Sequence, residues 1–163
     1  MKICPHRYLR EYDVSVWVDG NITVKGDIID FINQYDLDKN CLYSRIHPKR
    51  KCIYEEAEAC IEMRKDTQGN INAQIERYKN EGYPKNIGMV ETGVLLRKHN
   101  DPKCVIIDNN WASELLLGSH RDQLSFNYVC WKNKFIPGHL THEFKIRKNN
   151  FFTLSVHTQT SFR

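Results

Sequence analysis

Residues 13–18, Asp-Val-Ser-Val-Trp-Val, are rich in β-branched and aromatic side chains, and the run stops abruptly at Asp19-Gly20-Asn21. The first stretch fits a buried strand and the second is a turn signal. A strand placed this early delivers Asp19 to its carboxyl end, where the ligand crevices of α/β sheets lie. The later segments have to be arranged around it.

Those segments alternate in type. After Gly26-Asp27, the apolar residues Ile28, Ile29, Phe31, Ile32 and Tyr35 fall on one helical face. Residues 42–46 read as a second strand, ended by His47-Pro48 because proline cannot continue a ladder. Residues 52–66 are helical by period, with Ile53, Ala57, Cys60 and Ile61 opposite a glutamate-rich face. Residues 70–81 predict another helix, with Gly82 as C-cap and Pro84 as stop. Residues 89–96 form an apolar strand interrupted by Glu91. Asp101-Pro102 starts a helix that Gly118 ends, and Ser119-His120-Arg121-Asp122 resembles a capping box before the last helix. Strands and helices in this order predict an α/β domain with a mainly parallel sheet flanked by helices. Residues 1–135 carry the pattern. Residues 136–163 are expected as a C-terminal tail in which 141–146 and 151–156 pair as a hairpin.

Composition narrows the function classes. At 163 residues with 11% aromatics, the chain is one globular domain. No run approaches the roughly 18 apolar residues of a membrane helix. The basic start, Met1-Lys2-Ile3-Cys4, lacks the apolar region of a signal peptide, so a cytoplasmic location is expected. The six cysteines include no Cys-x-x-Cys and read as free thiols. A net charge of +4 with interspersed signs argues against a dedicated nucleic-acid binder.

Five local motifs carry chemistry. Asp19 and Asn21 place two oxygen donors beside a turn and can hold a hard divalent cation; on the tripeptide alone, an ordinary self-capping turn is the stronger reading. Glu91 in Glu91-Thr92-Gly93 is a carboxylate inside an apolar strand, which requires a partner or a ligand. His120-Arg121-Asp122-Gln123 lies at a helix start suited to anions, although capping alone explains it too. His47-Pro48-Lys49-Arg50-Lys51 leads into a helix and reads either as a phosphate site or as a solvated turn. His139 and His142 are spaced to chelate a metal, but lack a zincin acid, and surface histidines are the plainer account.

Taken in order, these pieces resemble the glycosyltransferase-like domain family once catalogued as domain of unknown function 616, which has plant mucilage-type and bacterial members. The likeness runs through residues 12–21, His47-Pro48 with Arg50, Cys52-Ile53-Tyr54-Glu55-Glu56-Ala57, and Tyr78 with Glu81-Gly82-Tyr83-Pro84. It continues through Glu91-Thr92-Gly93-Val94 with Arg97, His99-Asn100-Asp101, Trp111 and Arg121-Asp122-Gln123-Leu124-Ser125-Phe126.

The resemblance implies a GT-A-like fold and a transferase that uses a nucleotide-sugar donor and a carbohydrate or lipid-linked acceptor. Asp19 and Asn21 would take the place of its Asp-x-Asp metal motif, with Asn21 standing where the second acid is usual. A Mn2+ or Mg2+ ion would be completed by a C-terminal histidine such as His139. Asp122 and Glu91 would act on acceptor and sugar hydroxyls, with Arg50, Arg121, Gln123, Trp17 and His47 binding substrate. The family's first strand should precede residue 3, so the chain is expected to be shortened at its N-terminus. A non-catalytic remnant that binds carbohydrate or a partner is the alternative.

Overall fold

Helix boundaries follow caps written into the sequence. Asp27 Oδ1 accepts from Ile29 N at 2.7 Å and Asp30 N at 3.1 Å to start α1 (Ile28–Ile32). Thr67 Oγ1 accepts from Asn70 N at 3.2 Å to start α3 (Gln68–Asn80), which follows α2 (Ile53–Glu62). The end of α3 is a Schellman motif: Gly82 has φ +83°, its N–H reaches Lys79 O, and Tyr83 N–H reaches Tyr78 O. Asp101 caps Lys103 N at 2.8 Å and Pro102 opens α4 (Pro102–Leu117). The last helix, α5, spans Asp122–Lys132.

The computed structural model describes residues 1–140 and 149–154. The main sheet has the order β1-β4-β3-β5, from β1 (Ser15–Val18), β3 (Leu42–Ile46), β4 (Val90–Arg97) and β5 (Gly138–His139). A second ladder pairs β2 (Ile22–Val24) with β6 (Phe152–Leu154). All six cysteines are free and buried.

The expectation of a mainly parallel sheet is corrected. β4 lies between β1 and β3 and runs antiparallel to both, while among the described residues only β3 and β5 are hydrogen-bonded in parallel. The reason is the connection. Two helices, α2 and α3, separate β3 from β4. The chain re-enters the sheet where it left, and Val90 pairs with Ile46. β1 and β3 still point the same way, so their carboxyl ends share one edge with the amino end of β4.

The sheet is buried on both faces, as its alternation requires. Leu42 and Leu95 join Ile53, Ile71, Tyr78, Trp111 and Phe126 in the larger core under α2–α5. Tyr43, Val94 and Leu96 join Ile22, Phe31, Leu140 and Phe152 on the other face. Leu140 and Phe152 thus bring part of the stretch beyond residue 135 into the domain. Of the expected hairpin, residues 141–148 and 155–156 lie outside the described residues. The expected capping box does not form either. Arg121, not Ser119, precedes α5, and Ser119 Oγ instead donates to Asp66 Oδ2 at 2.5 Å. No described helix is long and apolar enough to cross a membrane.

Candidate active site

The shared edge of β1, β3 and β4 collects most of the charged residues singled out above. Asp19 follows β1, and its N–H bonds Gly93 O at 2.9 Å. Gly93 belongs to an irregularity in β4: Ser44 faces Leu95, yet Arg45 faces Glu91, so Thr92, Gly93 and Val94 drop out of register with β3. A Cβ on Gly93 would stand 3.6 Å from Asp19 Oδ2. That is ordinary van der Waals contact, so the Asp19 carboxylate packs directly on the strand at this position.

Asp19 is held by two donors. Trp17 Nε1 donates to Asp19 Oδ1 at 2.9 Å, and Lys2 Nζ reaches the same oxygen at 2.8 Å. Lys2 Nζ also lies 2.6 Å from Asp122 Oδ2. One ammonium therefore joins the carboxyl end of β1 to the first residue of α5. The start of α5 is fixed from below, because the buried Trp111 donates through Nε1 to Asp122 O at 2.9 Å.

Glu91 pairs with Arg45 at 2.8 Å, and both side chains are mostly buried, at 16% and 18% exposure. Burial pushes the Glu91 carboxyl up, Arg45 pulls it partly back, and Asp19 and Glu56 push it further up. Behind this pair stands Glu56, a buried carboxylate in contact with Arg50 Nε and, at 3.8 Å, His47 Nε2. His47 Nδ1 accepts from Arg50 N at 2.8 Å, and burial holds the ring below its usual pKa. His47 thus shapes the turn that presents Arg50. Burial raises the Cys60 thiol, as Glu56 also does, while Arg121 beside it works the other way. Arg121 Nε is a buried donor without a hydrogen-bond partner among the described residues.

His139 does not join this group. It lies on β5 in register with Ser44, and the row across the sheet runs through Leu95 to Trp17. Three inter-strand steps of about 4.8 Å separate those edges, too far for Asp19 and His139 to share one ion. Asn21 sits in the turn closed by Ile22 N–H on Asp19 O at 2.8 Å. Among the described residues, no three histidine, cysteine or carboxylate side chains are grouped to hold a metal. Two hard carboxylate oxygens do converge, from Asp19 and Asp122, but Lys2 Nζ takes the position between them. This donor set fits an ammonium rather than the divalent ion that the family likeness implies.

Lys2 itself was not a candidate on sequence grounds. Gln123 follows Asp122, and its backbone carbonyl accepts from Asn127 Nδ2 at 3.2 Å. A cavity of about 770 Å³ adjoins the same ends of β3 and β4, lined by Ile46, Val90 and His139 together with Tyr83, Trp131 and Phe135.

The family model described as TOD1/MUCI70, glycosyltransferase-like domain, matches residues 1–157. Over 137 residues the chain is 29% identical to the probable hexosyltransferase MUCI70 of Arabidopsis thaliana, an alignment covering 78% of this chain and 23% of that protein. The chain thus spans about a quarter of the length of the curated relative it matches. No solved structure matches the chain.

Proposed function

We propose that this chain, which belongs to the TOD1/MUCI70 glycosyltransferase-like domain family, forms a hexosyl-transfer site for a nucleotide-sugar donor and a carbohydrate or lipid-linked acceptor. One observation supports the reading above all: Asp19, Glu91 and Asp122 meet at a single sheet edge, with Lys2 and Arg45 paired to them.

Glycosyl transfer breaks the bond from the anomeric carbon to a diphosphate oxygen and forms one to an acceptor oxygen. Negative charge grows on the leaving diphosphate, and the acceptor hydroxyl gives up a proton. In this reading Arg50, whose counter-ion is Glu56, Arg121 and the amino end of α5 meet the first demand with positive charge. Glu91 is suited to the second. Its burial moves the carboxyl toward the operating pH, which favours proton transfer, and Arg45 fixes its orientation. Asp122 offers an acceptor for sugar hydroxyls at the helix start, beside Gln123. Trp17 and His47 act through neighbours, by holding Asp19 and by shaping the Arg50 turn.

The test is nucleoside diphosphate release from uridine- and guanosine-diphosphate hexoses, comparing wild type with Glu91→Gln. Loss of a general base lowers turnover about 10²–10⁴-fold; equal turnover refutes the role of Glu91. A second reading, a carbohydrate-binding remnant, draws on Asn21 standing in place of an acid. Sugar binding with no release from any donor would favour it.

A further inference from the structure

We propose that Lys2 supplies the cation for the donor diphosphate, so that this site binds its donor without a divalent metal. The inference rests on the transferase reading above.

The first ground is occupancy. Lys2 Nζ lies 2.8 Å from Asp19 Oδ1 and 2.6 Å from Asp122 Oδ2, where a bridging ion would otherwise stand. An ammonium has three N–H donors. One is donated to Asp19 Oδ1, the contact with Asp122 Oδ2 is an ion pair, and donor capacity remains for a phosphate oxygen. The Lys2 side chain is 16% exposed, with Asp19 at 39% and Asp122 at 22%, so the group is accessible from solvent yet partly desolvated.

The second ground is that the lysine is mounted rather than draped. Arg97 and Asp108 form an ion pair at 3.1 Å with 1% and 0% exposure, and Arg97 Nη2 donates to Lys2 O at 2.7 Å. A buried guanidinium that spends a donor on one backbone carbonyl fixes where that residue's side chain begins. The following residues are tied down in turn. Cys4 Sγ donates to Asp108 O at 3.6 Å, and Arg7 donates to Asn109 Oδ1 at 2.6 Å. His99 Nε2 meets Leu9 O at 2.8 Å, while Asn100 Nδ2 donates to Arg10 O and Tyr12 O. The ammonium therefore stands in place before a ligand arrives, which is the condition for a charge to act without reorganisation.

In the reaction the anomeric carbon–oxygen bond breaks with its electron pair going to the diphosphate. The acceptor oxygen bonds that carbon, and its proton passes to Glu91. Lys2 forms and loses no covalent bond. It hydrogen-bonds the diphosphate as its charge grows.

Calorimetry on the full chain tests this, with uridine diphosphate and guanosine diphosphate as probes, in chelator and in manganese. Wild type is expected to bind one of them in chelator, with affinity changed less than about two-fold by manganese. Lys2→Met is expected to lose about ten- to a hundred-fold in chelator, the size of a charge-assisted hydrogen bond. Lys2→Arg should retain most of it. Manganese alone, titrated into Lys2→Met, should bind between the two freed carboxylates and not in wild type. A manganese requirement in wild type, or unchanged binding by Lys2→Met in chelator, overturns the proposal. If wild type binds neither diphosphate under either condition, the donor reading itself falls and this inference with it. Nucleotide binding that depends on manganese would leave the donor reading standing and remove only Lys2.

Discussion

Replacing Asp66 by asparagine should weaken the fold by about 2 kcal/mol at pH 7 and by about half that at pH 3. Asp66 ties the turn before α3 to the turn before α5. Its side chain is 4% exposed and takes hydrogen bonds from Ser119 Oγ at 2.5 Å, Thr67 N at 2.6 Å, His120 N at 3.0 Å and Asn70 Nδ2 at 3.3 Å. Burial by itself would raise this carboxyl, but those donors outweigh it and bring the pKa down from 3.8 to about 2. Each unit is worth about 1.4 kcal/mol, so a drop of nearly two units gives about 2 kcal/mol once the group is ionised in both states. The sign follows from proton binding. The unfolded chain holds this proton more tightly, so the contribution is full above pH 4 and fades as pH falls toward 2. Urea denaturation of both proteins at pH 7 and pH 3 reads the difference, and a His120→Gln background removes the one titrating side chain paired with Asp66, whose Nδ1 lies 2.9 Å from Asp66 Oδ2. Equal midpoints at pH 7, or a gap that does not shrink on acidification, would refute the reasoning.

Two further predictions concern the frame around the site. A Cβ at Gly138 would lie 2.4 Å from Tyr43 Cδ1 and Cε1, and the Tyr43 hydroxyl is anchored on Asp36 O at 2.6 Å. Gly138→Ala should therefore cost about 1–3 kcal/mol in urea denaturation; an unchanged midpoint would mean that β5 moves aside freely. Burial lifts the Asp108 carboxyl to about 6, against the opposing pull of Arg97. Here the folded state binds the proton more tightly, so this group's contribution to stability declines as pH rises from about 4 to about 6. Carboxyl-carbon NMR should find its midpoint near 6, and higher still in Arg97→Met. A midpoint near the ordinary 3.8 would show that burial is not in control.

What was legible in the sequence was local. The Asp101-Pro102 start of α4 and the Gly82 end of α3 announce themselves because a cap is decided within a few residues. The family likeness, carried by the same local runs, is borne out by the family model across residues 1–157. Strand direction was not legible, because it depends on whether the intervening helices carry the chain across the sheet or back again. β2 was invisible for a related reason: three residues, Ile-Thr-Val, become a strand only when Phe152–Leu154 arrives beside them. At the site, Glu91 stood out as a carboxylate in an apolar strand, and the structure gives it Arg45 as the needed partner. Lys2 stood out in no way. Its signal was indirect, in Arg97 and Asp108, two charges set in the apolar strand and helix that had to be buried together and had a donor to spare.

The indole of Trp17 touches the same carboxylate oxygen as the Lys2 ammonium, while Trp111 is sealed in the core with no solvent exposure. A chromophore whose N–H rests on Asp19 feels any change in the field there. Its emission therefore registers occupancy of the cleft without a label, and the enclosed indole, bonded to Asp122 O, reports whether the helix start beneath the cleft moves with it.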